Sequence, residues 1–270
     1  MNFKFLNTGV IKSAKIDIGK LTVLCGKNNM GKTYVTYALY GFLKNWQRNI
    51  DFNLDNSIYQ KVSKDGSVII DLKHYEPKIN DVIKSLNKTY SGQISTVFSS
   101  NKEEFKNARV EFLPNDITID YSTEFKTSLS SEKEEIVNLS KEKDSSELTI
   151  TMLSTKDNFV PNFILESFIN SSIGNIFFSN YLHNPFLITA ERTGIQLFQR
   201  ELDINKNVLV ERLIKYETEQ KLSPYKLLTD ATSRYFLAIK DNIDFVRDTP
   251  SNYKKDSFLV KQKSAVVKYI

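Results

Sequence analysis

The segment Gly26-Lys27-Asn28-Asn29-Met30-Gly31-Lys32-Thr33 fits the pattern G-x-x-x-x-G-K-[ST] at every fixed position. No other stretch constrains the fold as strongly, because this pattern has a physical meaning only where a strand turns into a helix. Both flanks suit that junction. Leu21-Thr22-Val23-Leu24-Cys25 is a short apolar run that reads as a buried central strand. After the loop, residues 32–49 carry Val35, Leu39, Phe42, Leu43 and Trp46 at helical spacing. Gly26 and Gly31 allow backbone conformations that a side chain would forbid. The loop N–H groups and the helix N-terminus then surround an anion such as a β-phosphate with donors and positive dipole. Lys32 reaches the β- and γ-phosphates, and the Thr33 hydroxyl takes one coordination position on Mg²⁺. Lys27, Asn28, Asn29 and Met30 supply the backbone between the two glycines. Cys25 reads as a small core residue at the strand end rather than as a nucleophile.

Upstream, residues 2–18 alternate apolar and polar side chains, with a turn near Asn7–Gly9, and read as two strands. Downstream, SVIID (67–71), DITIDY (116–121) and ELTITML (147–153) look like strands, and DVIKSLNKTY (81–90) like a short helix. The Ser-, Glu- and Lys-rich stretch 122–146 suits an exposed hairpin or loop. From Val160 the pattern turns helical, interrupted by an apolar strand, PFLIT (185–189). Two more helical stretches lie over 195–217 and 224–247, with Pro224 where a helix start would put it. Phe198, Tyr216, Tyr225, Tyr235 and Phe236 read as core residues of this region. The expected division is a nucleotide lobe over 1–190, with a β-rich insert at about 50–160, and a partial helical lobe over 191–270.

Composition excludes several classes. A single cysteine rules out an internal disulfide framework, and His74 and His183 are too far apart in sequence for a local metal motif. No apolar run approaches the ~18 residues of a membrane span, and the N-terminus alternates rather than forming a secretory signal. A cytoplasmic setting with no membrane partner is therefore expected. The net charge of +5 is concentrated at the two ends: six lysines in the first 32 residues against Asp17, and five in the last 18 against Asp256. Such ends suit phosphate or nucleic acid, the C-terminal cluster reading more simply as a solvated tail. Asp71, after Val68-Ile69-Ile70, is one place for a metal-holding acid. However, His74 stands where a GTPase would want glycine, and no guanine motif of the Asn-Lys-x-Asp type occurs. Asp71 reads better as a strand-end residue, and a P-loop kinase or GTPase is the weakest of three readings.

The opening FKFLNTGVIKSAKIDIGKLTVLCGKNNMGKT resembles the N-terminus of the ABC-type ATPase heads of the SMC, RecF and OLD-nuclease group, in which a strand pair leads into a G-x-N-x-x-G-K-[ST] loop. Asn28 matches that family's asparagine. Phe186-Leu187-Ile188-Thr189-Ala190-Glu191-Arg192-Thr193-Gly194 is similar to a segment of bacterial OLD-like defence ATPases and, by analogy, stands where a glutamine loop would lie. The resemblance implies an α/β fold, a P-loop NTPase with an N-terminal strand pair, a central mixed sheet and part of a helical lobe. It implies ATP and Mg²⁺ as ligands, with Glu191 or Arg192 sensing metal or phosphate. The chain also departs from the family. No glycine follows Gly194 and no histidine follows His183, so the signature sequence, the Asp-Glu strand and the histidine switch are missing, and the chain corresponds to the first half of such a head. Phe163-Ile164-Leu165-Glu166 precedes the second segment and reads as helix.

By the same resemblance the chain would be an ATP-binding module linked to DNA repair or antiviral defence. Hydrolysis would be weak unless a C-terminal half or partner chain completes it. Its partners would be a second head, as homodimer or hetero-oligomer, a nuclease or other effector, and DNA. The alternative is a non-catalytic module in which nucleotide drives assembly.

Overall fold

A computed structural model describes residues 1–131, 134–153, 161–197 and 235–252 of the 270-residue chain. It divides into two compact units, one made of Met1–Ile94 with Phe105–Pro185, the other of Ser95–Glu104 with the chain beyond Pro185.

The first unit opens with β1 (Asn2–Thr8) and β2 (Ile11–Asp17), an antiparallel pair with Phe3 opposite Ile16 and Phe5 opposite Ala14. Its turn uses left-handed backbone at Asn7 and Gly9 (φ 48° and 59°). β4 (Arg109–Phe112) pairs on the other side of β1, giving the order β2-β1-β4. Alternation puts Phe3 and Phe5 of β1 and Val110 and Phe112 of β4 on one face, all buried. Helix α1 (Lys32–Asn49) packs on that face. Phe42 lies edge-on to Phe3 (5.2 Å) and to Tyr90 (5.1 Å). Tyr90 belongs to α3 (Ile79–Val97) and donates its buried hydroxyl to Ala38 O at 2.5 Å. Removal from water holds that phenol far above its usual pKa. β4 is an edge strand, and α3 covers its edge with polar side chains. Asn87 Oδ1 accepts from Phe112 N and Asn87 Nδ2 donates to Phe112 O, while Ser91 Oγ exchanges bonds with Val110. Those backbone groups are thereby satisfied without another strand.

The insert forms the second sheet, order β3-β7-β6-β5, from β3 (Ser67–Asp71), β5 (Phe125–Ser130), β6 (Glu135–Lys141) and β7 (Glu147–Met152). Helix α2 (Asn56–Asp65) leads into β3, capped by Asp55 at its start and by left-handed Gly66 at its end. Helix α4 (Asn162–Phe178) packs against α1 and α2. Its buried Asn170 accepts from Phe52 N at 2.7 Å and donates to Glu166 O, so neither end of the amide is orphaned. Lys141 is 1% exposed, yet its Nζ reaches three carbonyls, those of Tyr121, Glu142 and Ser145, at 2.9–3.2 Å. A buried cation is tolerable only with such partners.

The second unit contains α5 (Arg192–Leu197) and α6 (Leu237–Asn252). The expected helix over 195–217, Pro224, Phe198, Tyr216, Tyr225 and the basic tail 253–270 lie outside the described residues, apart from the start of that first stretch.

Several sequence expectations are overturned. The α/β content expected is present, while every strand pairing among the described residues is antiparallel, so neither sheet described is mixed. The run 21–25 forms no strand: Leu21 is 85% exposed and Val23 70%. Cys25 is likewise exposed rather than core. A central strand is buried only between two neighbours, and among the described residues the run pairs with neither sheet. The run 185–189 also forms no strand, with Phe186 and Ile188 well exposed. DITIDY forms no strand either; the Tyr181 hydroxyl accepts from Thr118 N and donates to Thr118 O. Tyr235 and Phe236 are partly exposed rather than core, Phe236 packing edge-on against Phe98.

Candidate phosphate-binding loop

The loop 26–31 starts from the exposed run 21–25 and ends in α1. Its conformation follows from its glycines and asparagines. Gly31 is left-handed (φ 89°, ψ 7°) and is the N-cap of α1, and Asn29 is also left-handed (φ 64°), a conformation asparagine adopts more readily than most side chains. At Gly26 nothing lies within 4 Å of where a Cβ would stand.

Lys32 closes the loop on itself. Its Nζ donates to Gly26 O and to Lys27 O, each at 2.7 Å, so the ammonium lies against the first two residues of the motif. The helix start beside it is bare. No side chain caps α1, its first turn holds no acidic residue, and the bond from Val35 N to Gly31 O (3.1 Å) opens the intrahelical ladder. Helix starts ordinarily carry Ser, Thr, Asp or Asn to accept from the orphan N–H groups. Here no side chain takes that place, and the helix dipole and one ammonium make the spot favourable to an anion. Thr33 is exposed at the first turn and offers one hydroxyl oxygen. In charge and hydrogen-bonding capacity these groups suit a polyphosphate. Among the described residues no group of three or more His, Cys, Asp or Glu could hold a metal ion.

The structure brings Gly26, Lys27 and Lys32 together directly, with Asn28, Asn29 and the exposed Met30 forming the bend between them. Glu191 and Arg192 belong to the other unit. There they begin α5: Glu191 O accepts from Ile195 N, and Arg192 turns back to Thr189 O through its backbone N (3.3 Å) and its guanidinium (3.4 Å). Asp71 ends β3 and caps the turn after it. The Ser146 hydroxyl and the Lys73 amide both donate to its carboxylate and hold it below the usual aspartate range. That is the strand-end role expected of it.

Asn242 is a residue the sequence does not single out. From α6, its Nδ2 donates to Leu187 O (2.6 Å) and its Oδ1 accepts from Thr189 N (3.2 Å), clamping the segment that leads to Glu191 as a neighbouring strand would. The one available signal is an asparagine, a poor helix former, in a helix interior. Replacing it (Asn242→Ala) leaves the buried Thr189 amide without its acceptor, a loss of about 1–2 kcal/mol. Amide exchange at Thr189 is expected to quicken roughly tenfold, and unchanged protection would show the clamp to be idle.

No curated protein and no solved structure gives a significant match to the chain. The AAA ATPase domain family matches residues 2–267, nearly the whole length and the entire loop. A fold that leaves a glycine-flanked loop and an undecorated helix start open to an anion agrees with that match, and the chain belongs to the AAA ATPase domain family.

Proposed function

We propose that the chain binds Mg²⁺-ATP through Gly26–Thr33. The observation that carries this reading is the Lys32 ammonium held over the carbonyls of Gly26 and Lys27 beside the uncapped start of α1. On binding, Lys32 exchanges two neutral carbonyl acceptors for phosphate oxygens, and its bonds become charge-assisted on both sides. The loop amides and the first-turn N–H groups hold the β-phosphate, and the Thr33 hydroxyl orients the metal. When bound, Mg²⁺ supplies charge neutralisation across the β- and γ-phosphates.

The finer assignment is to the SMC, RecF and OLD-like heads, in DNA repair or antiviral defence. The opening strand pair with its G-x-N-x-x-G-K-T loop and the Ala190–Gly194 segment support it. Turnover by the chain alone is slow in this reading, since the sequence shows no strand ending in Asp-Glu to position water, and positioning is most of phosphoryl-transfer catalysis.

Calorimetric titration with Mg²⁺-ATP tests the proposal. Lys32→Ala removes at least one charge-assisted bond of about 1.5–3 kcal/mol and is expected to bind roughly 10- to 100-fold more weakly. Equal affinity in the two proteins would sink the reading, and rapid steady-state phosphate release would overturn its slow-turnover part.

A second reading, nucleotide-dependent assembly without hydrolysis, is favoured by the exposed apolar residues Leu21, Val23, Phe186 and Ile188. Light scattering with and without ATP distinguishes the two, and a chain that stays monomeric in both states rejects assembly.

A further inference from the structure

The turn between β1 and β2 meets the start of α1 through two glycines. A Cβ on Gly9 (φ 59°) would lie 2.3–2.5 Å from Cδ1, Cε1 and Cγ of the Tyr34 ring. A Cβ on Gly31 (φ 89°) would lie 2.4 Å from Ile11 Cδ1, 2.7 Å from Ile11 Cγ1 and 2.9 Å from Val10 Cγ2. Each element thus rests a side chain on the other's glycine: Tyr34 on Gly9, and Ile11 with Val10 on Gly31. The contact is reciprocal, and both glycines are left-handed, so neither position accepts a side chain on conformational or on steric grounds.

This contact reaches the loop at its last residue, Gly31. Residues 21–30 are exposed, whereas Gly31 is buried. The hairpin tip therefore bears on the last loop residue and on the first turn of α1, whose N–H groups are the ones aimed at an anion. On the far side the Tyr34 ring stands 6.5 Å from that of Phe105, which is itself buried. Tyr34 is thus held between the hairpin tip and the body of the unit.

We propose that Gly9, Val10 and Ile11, together with Tyr34, are positioning residues for nucleotide. They do not touch it; they hold Gly31 in its left-handed state and fix the direction of the Lys32 and Thr33 amides. The inference rests on the reading of Gly26–Thr33 as an ATP site. Its physical basis is that a nest of amides binds phosphate well only when already oriented, because reorienting it on binding subtracts from affinity.

Mg²⁺-ATP affinity of the full chain is measured for Gly9→Ala, Tyr34→Ala and the double variant, with Lys32→Ala alongside. Gly9→Ala drives a methyl group into the ring and is expected to weaken binding about tenfold. Tyr34→Ala loosens the helix start without a clash and is expected to cost about threefold. In the double variant the methyl group no longer strikes the ring and only the left-handed strain at position 9 remains, so its loss should fall well short of the roughly 30-fold product of two independent losses; losses that multiply in full would overturn the proposal. Parent-like affinity of Gly9→Ala would also overturn it. Should Gly9→Ala fail to fold, Ile11→Ala takes its place. It deletes the side chain over Gly31 without strain, and unchanged affinity there would equally defeat the idea. If Lys32→Ala binds as the parent does, the ATP site itself is wrong; if Lys32→Ala loses binding while the Gly9, Tyr34 and Ile11 variants keep it, only the positioning role fails.

Discussion

Gly31→Val is expected to lower the urea midpoint of the chain by the equivalent of about 2–6 kcal/mol and to abolish nucleotide binding. Two costs act together. A β-branched residue at φ 89° is a conformational outlier worth about 1–3 kcal/mol. The same Cβ would stand 2.4 Å from Ile11 Cδ1, so the hairpin tip or the helix start must move, and overpacking of this kind costs about 1–3 kcal/mol. Gly31→Ala carries the same contact with less conformational strain and should fall between. Gly26 provides the contrast. No atom lies within 4 Å of its Cβ position, so Gly26→Ala carries strain alone and should move the midpoint less. Urea titration followed by circular dichroism measures all three, and a parent-like midpoint for Gly31→Val would mean that the contact between hairpin and helix start is not rigid.

Phe42→Ala is the largest single loss expected in the core, about 3–5 kcal/mol. The side chain is fully buried, edge-on to Phe3 and Tyr90, and 6.2 Å from the ring of Phe112. It therefore joins α1 to β1, α3 and β4 at once. Removing it opens a cavity among rigid rings that cannot close, and also forfeits aromatic pairings worth about 0.5–1.5 kcal/mol each beyond area. Since domains of this kind are stable by about 5–15 kcal/mol, a large share of the folded population's margin would go. The measurement is the same titration, with Phe42→Leu expected to recover most of the loss. A drop below about 1 kcal/mol would mean that the neighbouring rings repack.

Local patterns are what the sequence makes legible. α1 is readable because a left-handed glycine and a 3.6-residue apolar stripe both act within a few residues of one another. The β1–β2 pair is readable from period-two alternation, β3 and β7 from short apolar and β-branched runs, and α4 with its Phe163–Glu166 stretch from a longer apolar run. The runs 21–25, 116–121 and 185–189 mislead for a shared physical cause. Apolar alternation records what a segment could bury, whereas a strand exists only where another backbone supplies donors and acceptors. Two of these runs instead take hydrogen bonds from single side chains, Tyr181 and Asn242, which leave no periodic trace. The candidate loop is legible as a motif, since its fixed positions are contiguous. Its buttress by Gly9 and Tyr34 is not, because that contact joins residues with no shared spacing and depends on the absence of a side chain at one of them.

The uncovered run at Leu21–Cys25 has a consequence for the chain in concentrated solution. An exposed apolar run, here with Leu21 85% and Val23 70% exposed, is a template on which identical copies stack into fibrils. Lys20 and Lys27 bracket this run. In a stack of copies in register, each of these ammonium groups would sit about 4.8 Å from its counterpart above and below, so the two lysines act as gatekeepers against self-templating. Lys27, the second residue of the candidate loop, thus also guards the exposed run that precedes it.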